Sequence, residues 1–442
     1  MKLLSQPVVE WLGTTPHGWS QPRLKGIFRD STGAISIEQL AELEVQHYSI
    51  PNFDEFGAPA REDGATIASN KTLLRGGEIL FSKLNCHKPR VWLVPHDDQV
   101  KVASTEFIPL AEWHSGKTDK RFAAYLVGSA VFAEYMTCFQ TSVTNSHRRI
   151  NPTDLWQTRV PLPPLPEQQR IAAYLDASCA AIDAAVAAKR RQLETLDALR
   201  KSIIKHAVTM GLNPSVKTQR TNVEWIPEMP KHWRLVRVKD VMEFFNTVRV
   251  PLSAADRGVM TEKTYDYYGA SGVIDKVEAY HFDGTYILIA EDGANLLTRS
   301  KPLAFLASGK FWVNNHAHIL NPRWGGDKTF FVNLLEAQDF SLFVTGAAQP
   351  KLTMENLGRF KFALPHRAEQ MEIAAFIGTK NSEFRPLLAL IERQIETLVN
   401  YRKSLIHECV TGQRRITEAD VRAIQERAAK LTQEPTLPHT PA

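Results

Sequence analysis

Two long amphipathic segments constrain this chain more than any other feature. In the first, between positions 167 and 210, alternating steps of four and three residues fall on eleven positions, nine of them apolar. This heptad spacing is typical of a helix packed lengthwise against one partner helix. A helix of this length cannot bury its apolar stripe alone, so a partner is required. The eleven positions are Leu175, Cys179, Ile182, Val186, Lys189, Leu193, Leu196, Arg200, Ile203, Ala207 and Met210.

A second copy of this segment lies 202 positions later and supplies the partner. Between 162 and 209, 19 of 48 positions are identical to their counterparts, without a gap. The polar interruption at Arg200 recurs at Arg402. Packing alone does not require identity on the polar faces, so a duplication is favoured over two unrelated core helices. The second set of positions is Ile377, Asn381, Phe384, Leu388, Ile391, Ile395, Leu398, Arg402, Leu405, Cys409 and Gly412.

Each half also opens with a related segment, residues 10–25 and 224–239. The regions between opening segment and helix, 26–150 and 240–350, share almost no sequence, and both are rich in predicted strands with some helix. The chain is therefore a tandem duplication with a period near 200 residues. The identities in the opening segments pair Glu10, Trp11, Pro16, Trp19, Arg23 and Lys25 with Glu224, Trp225, Pro230, Trp233, Arg237 and Lys239.

The predicted fold class is α+β: two domains of mixed α/β type joined by two long coiled-coil helices in a tandem repeat. Prolines just upstream place the helix starts at Glu167 and Glu369, and Pro386 predicts a break before a long helix that begins near 383. The predicted divisions are a first domain at 1–160, a first helical region at 161–212, a linker and second domain at 213–362, a second helical region at 363–415, and a C-terminal helix and tail at 416–442.

Composition excludes several classes of protein. With 23% charged and 43% hydrophobic residues, the chain is typical of soluble globular proteins, and no apolar run approaches the length of a membrane span. The four cysteines are far apart and form no CxxC, so neither a zinc site nor a disulfide framework is predicted, and we expect a cytoplasmic protein without a membrane partner. A net charge of +5 permits nucleic-acid binding without requiring it.

No catalytic or metal-binding motif was found. A phosphate-binding GxxxxGK[ST] and a GxGxxG that follows a strand are both absent. Asn321-Pro322-Arg323-Trp324 lacks the second proline of the motif by which amino-methyltransferases grip an exocyclic amine. His316 and His318 would share one strand face, but without a third ligand they are better interpreted as polar surface or readout groups than as a zinc site. We therefore predict no catalytic residue, no metal site and no cofactor in this chain.

Polar and basic side chains on loops of the two divergent domains are the candidate DNA-binding residues. Arginine, lysine, asparagine and glutamine carry donors that fit base edges and phosphates. In the first domain the candidates are Asn70, Lys71, Lys83, Asn85, Lys88, Arg90, Asn145, His147, Arg148 and Arg149. In the second they are Tyr267, Asn295, Arg299, Asn314, Asn315, Arg323, Gln349 and Lys351.

The chain resembles the specificity subunits of type I restriction–modification enzymes over nearly its whole length. The resemblance is carried by four segments: PLPPLPEQQRIAAYLD at 161–176, LRKSIIKHAVTMGL at 199–212, EWIPEMPKHWRLVRVKDV at 224–241 and TGAAQPKLTMENL at 345–357. It implies that two target recognition domains each read one half of a split, asymmetric site in double-stranded DNA. It also implies that the two helices lie antiparallel, which makes the repeat pseudo-twofold, and that they hold those domains at a fixed separation.

The resemblance implies partners as well. Two modification subunits, which carry S-adenosylmethionine and methylate adenine, would dock on the repeats, and two restriction subunits with motor and nuclease activity would complete a restriction enzyme. Two other functions stay open at this point. One is a self-contained DNA methyltransferase or nuclease with duplicated recognition domains, which the lack of a cofactor motif disfavours. The other is a coiled-coil adaptor that binds no nucleic acid.

Overall fold

The computed structural model describes residues 15–31, 33–113, 116–142, 148–346 and 348–433. Glu10 and Trp11 of the first opening segment lie outside these ranges. The chain divides into two compact units: Met1–Arg190 with Arg393–Ala442, and Arg191–Glu392. Each unit thus contains one divergent domain together with half of each long helix. The folded unit is therefore not the sequence repeat, because each repeat contributes helix to both units.

The first unit holds an antiparallel four-stranded sheet in the order β1-β9-β6-β7 and a mixed five-stranded sheet in the order β2-β5-β8-β3-β4, with a separate β10–β11 hairpin. Strand β6 is buried along its whole length at the centre of the first sheet. The strands are β1 Phe28–Asp30, β2 Ala34–Ile35, β3 Glu44–Tyr48, β4 Ala60–Asp63, β5 Lys71–Leu74, β6 Ile79–Ser82, β7 Val91–Leu93, β8 Lys101–Ala103, β9 Phe107–Glu112, β10 Gln140–Ser142 and β11 Arg148–Ile150.

Helices cover one face of the four-stranded sheet. Phe122 and Phe132 are fully buried there, in one cluster with Phe81 of β6 and with Ile171 and Leu175 of the first long helix. The core of the first domain is therefore continuous with the helix that carries it. The helices of this part of the chain are α1 Ile37–Leu40, α2 Ile50–Phe56, α3 Lys120–Val127, α4 Ala130–Thr137, α5 Pro152–Gln157 and α6 Leu165–Met210.

The second unit is built on a six-stranded sheet in the order β15-β20-β18-β19-β16-β17, parallel only between β16 and β19. Its first four strands repeat the order of the four-stranded sheet in the first unit. Two short pairs, β12–β13 and β14–β21, complete it. The strands are β12 Thr218–Val223, β13 Ile226–Pro230, β14 Arg234–Arg237, β15 Met242–Phe244, β16 Tyr265–Gly269, β17 Gly272–Val277, β18 Phe282–Ala290, β19 Ala304–Val313, β20 Ala317–Pro322 and β21 Lys361–Leu364.

The second unit has its own helical cover and core. Phe330 and Leu334 are buried against Ile287 and Ile289 of β18, in a cluster that also contains Ile373 of the second long helix. Both domains are therefore anchored on a helix by the same arrangement. The remaining helices are α7 Val238–Val241, α8 Ala254–Gly258, α9 Asn295–Thr298, α10 Lys328–Glu336, α11 Met354–Arg359, α12 Arg367–Val410 and α13 Glu418–Gln433.

The two long helices pack against each other within each unit, as the heptad pattern predicts. In the first unit, early α6 meets late α12, and Asp183 lies 3.0 Å from Arg402. In the second, late α6 meets early α12, and Arg200 donates to Asn381 Oδ1 over 3.2 Å. The packing is therefore antiparallel, and none of the 22 predicted seam positions is exposed. The repeated arginines are polar contacts inside the seam.

Two expectations about the helices were wrong. Pro386 does not break α12, which continues from Arg367 to Val410 around it. Pro386 is exposed while Phe384 is buried. Water can therefore bind the carbonyl that loses its donor, and packing keeps the helix continuous.

The second expectation was that no apolar run approaches the length of a membrane span. Helix α6 is long and apolar enough to cross a membrane by length and composition alone. Packing inside the protein explains the apolar face of α6, since Leu175, Cys179 and Ile182 on that face lie in the core of the first unit.

The opening segments also have equivalent positions in the two units. In the first, Ser20 pairs with Leu162 and Arg23 with Arg159, on the lead into α6. In the second, β14 pairs Arg234 with Leu364 and Arg237 with Lys361, on the lead into α12. These four partnerships keep the offsets of 214 and 202 found in the sequence. The duplication is therefore a duplication of structure at this junction.

Candidate nucleic-acid interface

In the first unit, the loop that follows β6 lies against strand β11. Ile150 N donates to Lys83 O over 3.1 Å, and Asn85 N donates to Arg148 O over 2.7 Å. Asn85 adopts a left-handed backbone with φ 51°, which asparagine tolerates better than most residues. Leu84 and Arg149 form an antiparallel bridge between them. Four candidates from distant parts of the sequence, Lys83, Asn85, Arg148 and Arg149, therefore lie together at one edge of the sheet.

Arg149 is held in place by a carboxylate that the sequence analysis missed. Its Nε and Nη2 atoms lie 3.0 and 2.9 Å from the two carboxylate oxygens of Glu106, just before β9. This hydrogen bonding raises the pKa of the guanidinium, so Arg149 stays charged. Because Arg149 is about half exposed, the pair orients the cation without removing it from solvent. Two strand ends have to be adjacent for this contact, and no local sequence signal shows that.

The second unit repeats this arrangement with different side chains. Leu352 N donates to Glu291 O over 2.7 Å, and Gly293 N donates to Pro350 O over 3.0 Å. Asp292 and Lys351 form the bridge that corresponds to Leu84 and Arg149. Residues 291–293 after β18 stand 208 positions beyond residues 83–85 after β6, and residues 350–352 stand 202 positions beyond residues 148–150 of β11. The two domains therefore present the same backbone frame with unlike side chains.

The residues around Asp292 and Lys351 form the second cluster of candidates, as those around Leu84 and Arg149 form the first. Several basic side chains of this second cluster surround Glu291, which is 8% exposed. Its carboxylate pairs with Arg249 and lies 3.2 Å from Lys351 Nζ and 3.5 Å from His318 Nδ1. Burial raises the pKa of Glu291, but the hydrogen bonds from Arg249 and Lys351 and the charge of Arg249 act in the opposite direction, and the net shift is downward. Glu291 is therefore an anion that fixes Lys351 and Arg249 beside the loop. Arg249 was not a candidate, since it stands in a stretch without any motif.

His318 is buried, which corrects its interpretation as a surface or readout group. Its Nε2 donates to Leu352 O over 2.7 Å, and its Nδ1 accepts from the Asn246 amide over 2.8 Å. Burial lowers the pKa of His318, so the neutral ring is favoured. The ring therefore fixes the segment next to Lys351. Its neighbour His316 is partly exposed and lies 2.8 Å from Asp292.

Several predicted DNA-binding residues are buried or committed to internal contacts in the first unit. Lys71 is 6% exposed and bonds Ser69, and burial lowers its pKa. Arg90 is 5% exposed and forms two bonds of 2.6 and 2.7 Å with Asp54. Asn70 is exposed but caps the backbone at Ile37. Their positions indicate structural roles, and Arg90 supports the loop that follows β6 from the interior of the domain.

The second unit shows a similar separation of structural and surface residues. Tyr267 and Asn314 are 1% and 5% exposed, and the Tyr267 hydroxyl accepts from Leu252 N over 2.8 Å. Asn295 closes its own loop through bonds to Ser300 and Lys301, and Arg299 donates to Glu336. These residues shape the domain and offer few free donors.

The remaining candidates are found in three places. Lys88, Asn315, Gln349 and Lys351 are exposed in or next to the two clusters. Arg323 is exposed at the opposite end of β20 from His316, and its Nε donates to Met242 O over 3.2 Å. Asn145 and His147 lie outside the described residues. Within the described ranges, no group of three or more histidine, cysteine, aspartate or glutamate side chains is placed to hold a metal ion.

Comparison with known proteins follows the duplicated architecture. The chain matches the family model of the type I restriction modification DNA specificity domain over residues 16–195 and again over 230–391. A putative type I restriction enzyme specificity subunit of Haemophilus influenzae is 31% identical over 157 residues, which is 36% of this chain and 37% of that protein. The MjaVIII specificity subunit of Methanocaldococcus jannaschii is 23% identical over 280 residues, 58% of this chain and 62% of that protein. Both alignments span less than two thirds of the relative.

A solved structure is similar in fold along most of the chain. It is described as the structural basis of complex assembly and conformational transition of the type I R-M system. The TM-score is 0.67 at 16% identity, over 90% of this chain and 98% of that one. The predicted fold class, with two mixed domains and two long antiparallel helices in tandem repeat, is confirmed.

Proposed function

Because the chain belongs to the type I restriction modification DNA specificity family, we propose that it is the non-catalytic subunit that selects the DNA sequence for a type I restriction–modification enzyme. One observation carries this proposal beyond family membership. The two units have the same backbone arrangement, with one bridge between Leu84 and Arg149 and the other between Asp292 and Lys351, but the side chains on it differ. Equivalent frames with unlike side chains suit a protein that reads two different half-sites of one DNA.

The exposed and partly exposed members of the two clusters are the residues proposed to contact DNA. In the first unit these are Lys83, Asn85, Lys88, Arg148 and Arg149; in the second they are Asn315, Gln349 and Lys351. Buried residues such as Lys71, Arg90, Tyr267 and Asn314 are proposed to hold these loops in shape. Cations and amides on paired loops can both neutralise phosphates and reach base edges in a groove.

The proposed assembly follows from the family. Two modification subunits, which carry S-adenosylmethionine, would dock on this chain, and two restriction subunits would join where restriction accompanies modification. The chain itself would bind no cofactor, and the complex would act on double-stranded DNA in the cytoplasm. The antiparallel seam of α6 and α12 would set the spacing between the half-sites.

Exchange of one recognition domain tests the proposal. Residues 26–150 are replaced by the corresponding domain of another specificity subunit, and methylated adenines are mapped across the genome of cells that carry the modification subunit. We expect one half of the recognised site to change while the other half and the spacing persist. A change in both halves, or unaltered methylation, would contradict the proposal. A matched exchange of 240–350 should alter the opposite half.

A further inference from the structure

A cavity of about 500 Å³ lies in the second unit, between β14, the start of α10 and the start of α12. Its walls are apolar and are formed by Leu235, Val236, Val241, Phe331, Leu364 and Pro365. This volume is in the range that accommodates one or two large side chains or a drug-sized ligand. The cavity is separate from the cluster around Lys351, and none of its lining residues is among those proposed above to contact DNA.

Three arginines surround this cavity, and none of them forms an ion pair with a carboxylate among the residues that the structure describes. Arg234, Arg323 and Arg367 are all exposed, and Arg323 bonds only a backbone carbonyl. The one acidic residue of the lining, Asp240, is already paired with Arg237 at 2.8 Å. The rim is therefore cationic and selects an anionic partner.

The cavity also holds a buried acceptor without a donor. Gln370 is 5% exposed, and its Nε2 donates to Pro365 O over 3.0 Å, but its Oε1 has no partner. The equivalent glutamine of the first unit, Gln168, bonds Pro163 O in the same way, and its Oε1 accepts from Asp119 N over 2.9 Å. A buried, unpaired amide oxygen costs free energy, so a donor from a ligand would be favourable here.

An aromatic side chain stands at the rim in an unusual conformation. Trp324 is 79% exposed with φ 57° and ψ 24°, a left-handed backbone that is rare for a bulky residue. Backbone strain of this kind and an exposed indole are both common at binding surfaces. Trp324 is placed where it could cover a side chain inserted into the cavity.

We propose that this cavity, the Trp324 socket, binds an acidic peptide segment of a protein partner, with an aromatic or large aliphatic side chain inserted between the apolar walls. Carboxylates of the segment pair with Arg234, Arg323 and Arg367, and one of its N–H groups donates to Gln370 Oε1. A peptide is favoured over DNA because the socket lies at the far end of β20 from the Lys351 cluster. Six residues of strand separate them, roughly 17 Å.

The inference deepens the proposed function, since its test uses the modification subunit as the partner. Trp324 is replaced by the photo-crosslinking residue p-benzoylphenylalanine, and the complex of the full chain with that subunit and DNA is irradiated. Mass spectrometry should identify one modification-subunit peptide that is rich in aspartate and glutamate. The control carries the same residue in place of Val259, which is 80% exposed elsewhere in the unit, and should not label that peptide. Crosslinking to DNA, to a basic peptide or to nothing overturns the proposal.

Charge reversal gives an independent measurement. Arg323→Glu with Arg367→Glu should weaken binding of the modification subunit at least tenfold in titration calorimetry, while DNA affinity of the chain changes less than twofold. Gln370→Leu should weaken the same binding about threefold or more, whereas Gln168→Leu should leave it unchanged. Equal affinity for all variants overturns the socket and leaves the proposed function intact. Failure of the modification subunit to bind the unaltered chain overturns both.

Discussion

Arg149 and Lys351 occupy the same place in two domains that share almost no sequence. Each is bridged on one side to the loop that follows the central strand, at Leu84 or Asp292, and each is held by a carboxylate, Glu106 or Glu291. Each is also bridged on its other side to a threonine, Thr141 of β10 or Thr345. A cation at an equivalent, fixed position in both units is expected if both units meet a DNA backbone.

Replacement of either Arg149 or Lys351 should reduce the salt dependence of DNA binding by the amount expected for the loss of one phosphate contact. Arg149→Ala and Lys351→Ala should each lower the slope of log affinity against log salt concentration by about 1, because one phosphate contact and its released counterion are lost. The measurement is fluorescence anisotropy of labelled duplex DNA at several salt concentrations. Arg61→Ala, an exposed cation paired with Glu44, is the control and should leave the slope unchanged. An unaltered slope in both test variants would remove these residues from the interface.

The pair formed by Arg90 and Asp54 should affect stability and not DNA binding. Asp54→Ala leaves a buried guanidinium without its carboxylate and should lower the free energy of unfolding by about 2 kcal/mol. Arg90→Met should cost less, about 1 kcal/mol, because Asp54 is half exposed and can be solvated. Urea denaturation measures both. If Arg90→Met weakened DNA binding tenfold while the protein stayed folded, Arg90 would be a contact after all.

Lowering the pH should destabilise the second unit because His318 is buried there in its neutral form. Burial lowers the pKa of His318 in the folded protein, whereas the unfolded chain has an ordinary histidine with a pKa of about 6.5. The unfolded state therefore binds more protons below that pH, and the free energy of unfolding should fall as the pH falls below about 6.5. Melting temperatures between pH 5 and 8 should show this decline, and His318→Gln should flatten it. A matched His316→Gln variant with the same flattening would show that His318 is not the cause.

The four cysteines should differ sharply in reactivity. Cys138 is exposed, whereas Cys86, Cys179 and Cys409 are buried, and burial raises the pKa of Cys409 to about 12. Only the thiolate reacts, so a thiol reagent at pH 8 should label Cys138 within minutes and the others only after unfolding. Mass spectrometry of timed samples checks the order. Rapid labelling of Cys179 or Cys409 in the native protein would show that the helical seam opens.

The sequence by itself determined the duplication, the heptad seam and the pairing of the two helices, because those depend on periodic patterns that repeat along the chain, and the family resemblance supplied their antiparallel orientation. It also placed Lys83, Arg149 and Lys351 among many plausible loop cations. Only the tertiary structure separated them from Lys71, Arg90 and Tyr267, since burial depends on which strands become neighbours. The same is true of Glu106, which meets Arg149 across 43 positions of sequence, and of Gln370, which differs from Gln168 only in what folds beside it. Local pattern fixes secondary structure, whereas contacts between distant residues decide which polar groups are left facing a ligand.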